Sequence, residues 1–263
     1  MFTHVFKTQK PIIGMIHLPP LPGYPKHPGM KYVIQKAMTD LETLQKSGFD
    51  GVLIENDNDQ PHQIKVSRTI TDSFRDIMKQ LLHHSKIPVG MEIIYDMWET
   101  INVAHEVGAQ FVRLDVFVDN VQTQWGNIYA QAKKLIALKK FIGATNLLLL
   151  TDIQVKHAQM IDNKTLEQSA RDAISYGADA IIVTGDWTGH APSIADCQKI
   201  VKMNSTIPLL IGSGLTIDNI NQLLQYSDGA IVGTSIKTGD YIDGQKAKEL
   251  MDIVKKIRKD IYL

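Results

Sequence analysis

Short apolar runs alternate with longer amphipathic stretches eight times along this chain. Each run is rich in valine and isoleucine and is bounded by turn residues, which is typical of buried parallel strands. The eight runs cover residues 11–17, 51–55, 88–93, 111–116, 147–152, 180–184, 208–212 and 229–233. The pattern therefore predicts an α/β fold built from eight repeating βα units.

The stretches between the runs carry helix signals. Residues 31–47, 97–107 and 165–176 each stop at a glycine, as many helices do. Thr165 is the predicted N-cap of the third of these helices. Thr216 is predicted to cap a helix that runs to about Tyr226, and residues 244–260 form a last, highly charged helix.

The length of the chain favours a closed barrel. It has 263 residues, and a (β/α)8 barrel typically needs about 250. The competing architecture is a doubly wound open sheet, but the Gly-x-Gly-x-x-Gly fingerprint of a dinucleotide site does not follow the first strand. We therefore predict one domain over residues 1–263, a single TIM barrel.

Composition narrows the function classes. Lysine and arginine together number 28, equal to aspartate and glutamate, so no overall field attracts nucleic acid. The one cysteine, Cys197, excludes an intrachain disulfide and fits a reducing compartment. The N-terminus lacks a secretory signal pattern, and no apolar run is long enough to span a bilayer. We expect a cytoplasmic protein without a nucleic-acid partner or a transmembrane segment; assembly into a homo-oligomer stays open.

Glycine-rich turns follow the seventh and eighth strands. Active sites of such barrels lie where strands end, and phosphate often binds after these two strands. Main-chain N–H groups of glycine turns approach an anion closely, and nearby hydroxyls add hydrogen bonds. Either turn alone could simply reverse the chain. Together they predict phosphate-binding loops, formed by Gly212, Ser213, Gly214, Gly233, Thr234 and Ser235.

Acidic residues lie in or directly after four consecutive strands: Glu55, Glu92, Asp115 and Asp152. If all four side chains point into the barrel, four carboxylates face the same opening at the carboxyl ends of the strands, which we call the barrel mouth. Buried like charges raise one another's pKa, which suits a general acid or base. Such an oxygen-rich site suits a divalent cation, Mg²⁺ or Mn²⁺, and it equally suits hydrogen bonds to sugar hydroxyls. In the alternative, two of the four point outward and pair with helix-borne lysine or arginine.

Further polar residues stand at the predicted strand ends. Lys156 follows strand five and could neutralise the carboxylates, hold a phosphate or act as an acid, whereas His17 is a candidate proton carrier or a partner of the backbone. The predicted catalytic set is Glu55, Asp152, Lys156, His17 and Asp115. The predicted substrate contacts are Asn56, Glu92, His157, Thr184 and Gly185.

Several phrases in fixed order resemble the BtpA family between about residues 10 and 240. They include IGMIHLPPLPG at 13–23, GVLIEN at 51–56, LIGSG at 210–214 and DGAIVGTS at 228–235. The resemblance implies a ribulose-phosphate-binding barrel, in agreement with the predicted phosphate loops. It implies no single reaction, since some photosynthetic members are linked to photosystem I biogenesis. Glu92, Asp115 and Gln154 depart from the usual pattern of the family, and the two carboxylates make the mouth more acidic.

These observations favour a small-molecule enzyme that acts on a phosphorylated sugar or nucleotide-like compound, as a lyase, isomerase or hydrolase. One alternative is a non-catalytic assembly factor at a membrane surface. It needs an exposed apolar or basic patch, for which the basic cluster at 255–259 is the candidate. The other alternative is a ligand-binding regulator, which keeps the pocket but has no turnover.

Overall fold

The computed structural model describes residues 2–260, and its core is a closed barrel of eight parallel strands. In chain order the strands are β1 (Ile12–His17), β2 (Gly51–Glu55), β3 (Val89–Glu92), β4 (Phe111–Leu114), β5 (Val121–Thr123), β6 (Gly126–Ile128), β7 (Leu148–Asp152), β8 (Ala158–Met160), β9 (Ala180–Val183), β10 (Leu209–Ile211), β11 (Gly229–Val232), β12 (Lys237–Thr238) and β13 (Tyr241–Ile242). The barrel order is β1-β11-β10-β9-β7-β4-β3-β2. All eight predicted strands are present, and the predicted TIM barrel is confirmed.

Helices lie between the barrel strands. They are α1 (Phe2–Val5), α2 (Met30–Ser47), α3 (Arg68–His84), α4 (Met97–Val107), α5 (Ala132–Phe141), α6 (Leu166–Tyr176), α7 (Ile194–Lys202), α8 (Ile220–Gln225) and α9 (Gly244–Asp260), with a 3-10 helix at Thr234–Ile236. Within residues 2–260, no helix combines the length and apolarity needed to cross a membrane.

The helix ends follow the sequence signals with one exception. The predicted C-terminal glycines follow α2, α4 and α6 in the left-handed conformation. Thr165 caps α6 by accepting a hydrogen bond from the N–H of Gln168. The predicted cap at Thr216 is wrong: α8 begins at Ile220, with Asn219 as its N-cap. The Asn219 side chain accepts the N–H of Thr216, so residues 216–219 form a turn before the helix.

The amino-terminal base of the barrel is packed with apolar side chains. Phe2 and Phe6, in and just after α1, pack against the inward-facing residues of the strands. The rings of Phe6 and Phe111 lie 5.3 Å apart between centroids. Since this end is filled by hydrocarbon, the polar side chains of the barrel interior lie towards the opposite end.

Two small sheets lie outside the barrel. β5, β6 and β8 form a three-stranded antiparallel sheet, in loops that follow β4 and β7. β12 and β13 form a hairpin just after the 3-10 helix that follows β11. The apolar-run pattern did not predict these short strands, because each has only two or three residues.

Candidate active site

A buried arginine lies at the centre of the barrel mouth. Arg113, on β4, donates from Nε to Asp152 Oδ1 at 2.9 Å and from Nη2 to Asp152 Oδ2 at 2.7 Å. Glu55 Oε2 lies 3.6 Å from Nη1, and Glu92 Oε2 lies 3.6 Å from Nε. This two-bond fork fixes the plane of the guanidinium. The sequence reasoning missed Arg113, although it alternates with the inward-facing Phe111 and with Asp115 along the same strand.

The four predicted carboxylates are all buried, and three of them converge on this arginine. The exposed fractions of Glu55, Glu92, Asp115 and Asp152 are only 2–7 %. None of the four faces a helix on the outside, so the outward-facing alternative is not observed. Glu55, Glu92 and Asp152 pair with Arg113, which comes from a strand and not from a helix. Asp115 Oδ2 instead accepts the N–H of Tyr95 at 3.0 Å.

Burial shifts the pKa values of this cluster. The pKa of Glu92 lies well above its usual range, mainly because the carboxyl is buried and also because other carboxylates are near. Burial raises the pKa of Asp115 to about 7, with a further contribution from Asp152. Burial, followed by the charge of Arg113, lowers the pKa of Lys156. A carboxyl that titrates near neutral pH can both donate and accept a proton under working conditions.

The raised pKa of Asp115 predicts a pH-dependent stability. Its folded value of about 7 lies above the ordinary 3.8, so the folded protein keeps a proton that the unfolded chain releases. The contribution of Asp115 to stability therefore falls as pH rises from about 4 to about 7, by on the order of 1 kcal/mol per pH unit. We expect Asp115→Asn to remove this contribution from the pH dependence of the free energy of unfolding, measured with urea at pH 4.5, 6 and 7.5. Asp218→Asn, at an exposed position, is the control; an unchanged slope in Asp115→Asn would contradict the prediction.

A group of cations surrounds the end of β1. Lys36 donates from Nζ to the His17 carbonyl at 2.8 Å and to Asp40 at 2.7 Å. Burial, followed by the charge of Lys237, lowers the pKa of His17 to about 3, so the imidazole is neutral at neutral pH. Its Nδ1 lies 3.6 Å from Asp57 Oδ2, so the side chain faces a carboxylate and not the backbone.

Lys237 is a second residue that the sequence reasoning missed. It directly follows the 3-10 helix after β11, and its main-chain N–H bonds the carbonyl of Thr234. Burial, followed by the charge of Lys36, lowers its pKa to about 8. An ammonium group with a lowered pKa gains from a nearby anion, so this side of the mouth favours negative charge.

The predicted glycine turns face the barrel interior. Together with His17, the five residues Gly212, Ser213, Gly214, Gly233 and Thr234 line a cavity of about 30 Å³. The carboxylate–arginine cluster lines a neighbouring cavity of about 250 Å³, which we call the central chamber. The two cavities share the lining residues Glu55, Asp57, Arg113, Lys156 and Thr188. They are therefore two parts of one site.

Two of the three expected phosphate-binding hydroxyls bond the protein itself. Ser213 Oγ donates to the carbonyl of His190 at 2.7 Å, and Ser235 Oγ donates to the carbonyl of Leu215 at 2.6 Å. Both hydroxyls therefore donate within the protein, and of the two residues Ser213 lines the small cavity. Thr234 lines the small cavity, and no hydrogen bond of its hydroxyl occurs within residues 2–260.

Asn56, a predicted substrate contact, forms hydrogen bonds within the protein. Its Nδ2 donates to Asp59 at 3.0 Å, and its Oδ1 accepts the N–H of Ile94 at 2.9 Å. With both ends of the amide engaged and the residue buried, Asn56 joins the β2 and β3 loops and does not line the chamber. Thr184 and Gly185 instead line an adjacent cavity of about 860 Å³, which shares Lys156 and His157 with the chamber.

The loop between β9 and α7 covers the glycine turns. His157 Nε2 accepts the N–H of Thr188 at 3.1 Å and lies 2.8 Å from its hydroxyl. The N–H of Gly185 donates to Ser213 Oγ at 3.0 Å. The small cavity beneath this loop has about the volume of one water molecule, so a larger group requires the loop to move outward.

The carboxylate ring suits a divalent cation on sequence grounds alone. Within residues 2–260, however, no three histidine, cysteine, aspartate or glutamate side chains have the arrangement of a metal site. Arg113 supplies positive charge among the carboxylates.

Comparison with known proteins identifies the family. A model of the BtpA family matches residues 8–256. The chain belongs to the BtpA family. The match reaches beyond both ends of the expected interval of 10–240. A relative, an uncharacterised protein of Pyrococcus furiosus, is 35% identical over 257 residues, which cover 97% of this chain and 97% of that protein.

Two further proteins are similar to this BtpA-family chain, one in sequence and one in fold. The photosystem I biogenesis protein BtpA of Synechocystis is 32% identical over 236 residues, which cover 88% of this chain and 82% of that protein. The fold resembles (S)-3-O-geranylgeranylglyceryl phosphate synthase from Thermoplasma acidophilum, solved with its substrate sn-glycerol-1-phosphate. The TM-score is 0.64 at 13% identity, with 97% of this chain and 96% of the other covered.

Proposed function

We propose that this BtpA-family protein is an enzyme that acts on a small phosphorylated compound, a sugar phosphate or a nucleotide-like molecule. The observation that carries the proposal is the pairing of two adjoining cavities. One is lined by glycine turns at the ends of β10 and β11, and the other holds buried titratable groups. Phosphate binding and proton transfer would then occur side by side in one site.

The phosphate would bind at the glycine turns. Main-chain N–H groups at Ser213, Gly214 and Gly233 would donate to its oxygens, together with the hydroxyl of Thr234. The N–H of Gly212 is not available, because it donates to the carbonyl of Val183 at 2.8 Å. Lys237 and Lys156 would supply positive charge. A bound phosphate would also raise the pKa of His17, since it places negative charge beside a neutral imidazole. The Thermoplasma synthase, which has a similar fold and was solved with sn-glycerol-1-phosphate, supports a phosphorylated compound as the class of ligand.

The chemistry would take place over the carboxylates. Asp115 and Glu92 have raised pKa values and line the central chamber, so they suit proton donation and acceptance. Arg113 would keep Asp152 fixed and stabilise negative charge that develops on the substrate. Proton transfer at a sugar carbon and cleavage of a bond to a protonated leaving oxygen both fit these groups.

The protein surface gives little support to the alternative of a membrane-bound assembly factor. In the basic cluster at 255–259, Lys255 pairs with Asp252 at 3.2 Å and Arg258 pairs with Asp50. These pairs reduce the positive charge that a membrane surface would attract. The proposal includes a cytoplasmic location, with which the buried, unpaired Cys197 is compatible.

A thermal-shift assay tests the proposal. We expect D-ribose 5-phosphate, sn-glycerol 1-phosphate, AMP or inorganic phosphate to raise the Tm. At a hundredfold excess of ligand over its Kd, binding adds up to about 3 kcal/mol to the free energy of unfolding. Gly233→Ala should abolish the shift, because the new methyl lies 3.2 Å from Met15 Cβ and 3.6 Å from His17 Nε2, inside the small cavity. No shift with any of these compounds would overturn the proposal.

Gly244→Ala is the matched control. There the added methyl lies 3.5 Å from Thr43 Cγ2, an ordinary contact at the start of α9. This variant should keep the full ligand-induced shift. A shift that survives equally in Gly233→Ala would show that the phosphate binds elsewhere.

A further inference from the structure

Two buried carboxylate oxygens in the central chamber have no hydrogen-bond partner within residues 2–260. They are Glu55 Oε2 and Glu92 Oε2. Each lies 3.6 Å from a nitrogen of Arg113, which is too long for a hydrogen bond. The two residues are 6 % and 2 % exposed, and both line the chamber. Since an unsatisfied buried polar group costs about 1–3 kcal/mol, these atoms are suited to the donors of a ligand.

Donors and acceptors are mixed around the chamber. Arg113 and Lys156 carry N–H groups, whereas Glu55, Glu92 and Asp115 present carboxyl oxygens. An ammonium group only donates, and a carboxylate only accepts, so neither satisfies both kinds of partner. A hydroxyl group donates one hydrogen bond and accepts two. The mixture therefore matches several hydroxyls better than it matches one charged group.

Aromatic side chains form part of the chamber wall. His62 packs edge-on against Tyr95 at 5.7 Å and against Trp125 at 6.2 Å between ring centroids. All three line the chamber, and Trp125 lies at the tip of the β5–β6 hairpin. Such rings offer apolar surface to the C–H face of a ligand whose other side is polar.

We propose that the central chamber binds the hydroxyl-bearing carbons of a sugar phosphate, with neighbouring hydroxyls donating to Glu55 Oε2 and Glu92 Oε2. This inference rests on the proposed function, because the phosphate of the same molecule occupies the adjoining glycine-lined cavity. It narrows the ligand class to a sugar phosphate with free hydroxyls. A nucleotide, which carries a large planar base in addition to its sugar, becomes an outcome of the test.

Ligand pairs that differ by one hydroxyl test the inference on the unmodified protein. The Kd is measured calorimetrically for D-ribose 5-phosphate against 2-deoxy-D-ribose 5-phosphate, and for D-glucose 6-phosphate against its 2-deoxy analogue. Inorganic phosphate and AMP complete the set. We expect loss of a hydroxyl to weaken binding about tenfold or more in at least one pair, as for a hydrogen bond to a charged group. Less than a twofold difference in both pairs, or AMP binding tightest, would overturn the inference.

Glu55→Gln and Glu92→Gln give a second measurement. Both are expected to shrink the preference for the hydroxylated member of the pair. Glu92→Gln, which changes the chamber and not the glycine-lined cavity, should also leave the Kd of inorganic phosphate within about twofold. Glu99→Gln, at the start of α4 and outside the chamber, is the control. Failure of every phosphorylated compound to bind would reject the proposed function itself. Phosphate binding with no hydroxyl preference, unchanged in both variants, would reject this inference alone.

Discussion

Replacing Arg113 with methionine is expected to lower the free energy of unfolding by about 3–5 kcal/mol. The variant removes both hydrogen bonds to Asp152 and the positive charge nearest to Glu55 and Glu92. These carboxylates would remain buried at the barrel mouth without compensation. Urea unfolding at pH 7, followed by circular dichroism, measures the loss.

Two companion variants separate this effect from a general loss of arginine. Arg171→Met, at an exposed position on α6, should change stability by less than about 0.5 kcal/mol. Adding Asp152→Asn to Arg113→Met should recover part of the loss, because it removes one unpaired charge. A loss below about 1 kcal/mol in Arg113→Met would mean that the carboxylates do not depend on the guanidinium.

Replacing Gly214 with alanine is expected to lower the free energy of unfolding by about 2–4 kcal/mol. The new methyl would overlap main-chain atoms of His190 and Ala191, and Gly214 has a left-handed φ of 69°. Since backbone cannot yield as a flexible side chain can, the covering loop must shift and the bond from Ser213 to His190 must break. We also expect the Kd of D-ribose 5-phosphate to rise at least about tenfold, as measured by calorimetry.

Gly143→Ala is the matched control for this prediction. Gly143 has a similar φ of 75°, but a methyl there has no atom within 4 Å. This variant should show only the backbone strain, about 1–2 kcal/mol, with no change in ligand affinity. Equal losses in the two variants would show that the loop does not rest on Gly214.

The sequence predicts the barrel well because each strand is a local apolar run, and alternation of βα units leaves few architectures. It also predicts that Glu55, Glu92, Asp115 and Asp152 meet, since the carboxyl ends of parallel strands share one mouth. Arg113 was not predicted because it lies inside an apolar run, whereas the candidate residues lie mainly at the ends of such runs. Lys237 was missed because its closeness to His17 depends on the closure of the barrel between β1 and β11.

For other residues, the identity of a side chain does not determine its partner. Ser213 and Asn56 stand at strand ends, as ligand-binding residues often do, but an amide or hydroxyl serves a loop equally well. Their partners come from segments distant in sequence: the carbonyl of His190 for Ser213 and the N–H of Ile94 for Asn56. Such contacts depend on how long loops pack, which local sequence patterns do not encode.

The aromatic plug formed by Phe2 and Phe6 has a kinetic consequence for any ligand. Because hydrocarbon fills the base of the barrel, arrival and departure use the same opening. A departing molecule therefore blocks the next arrival until it has cleared the covering loop. For the enzyme proposed above, release of product would share this path with entry of substrate, so changes that speed the outward movement of that loop should raise turnover where release limits the rate.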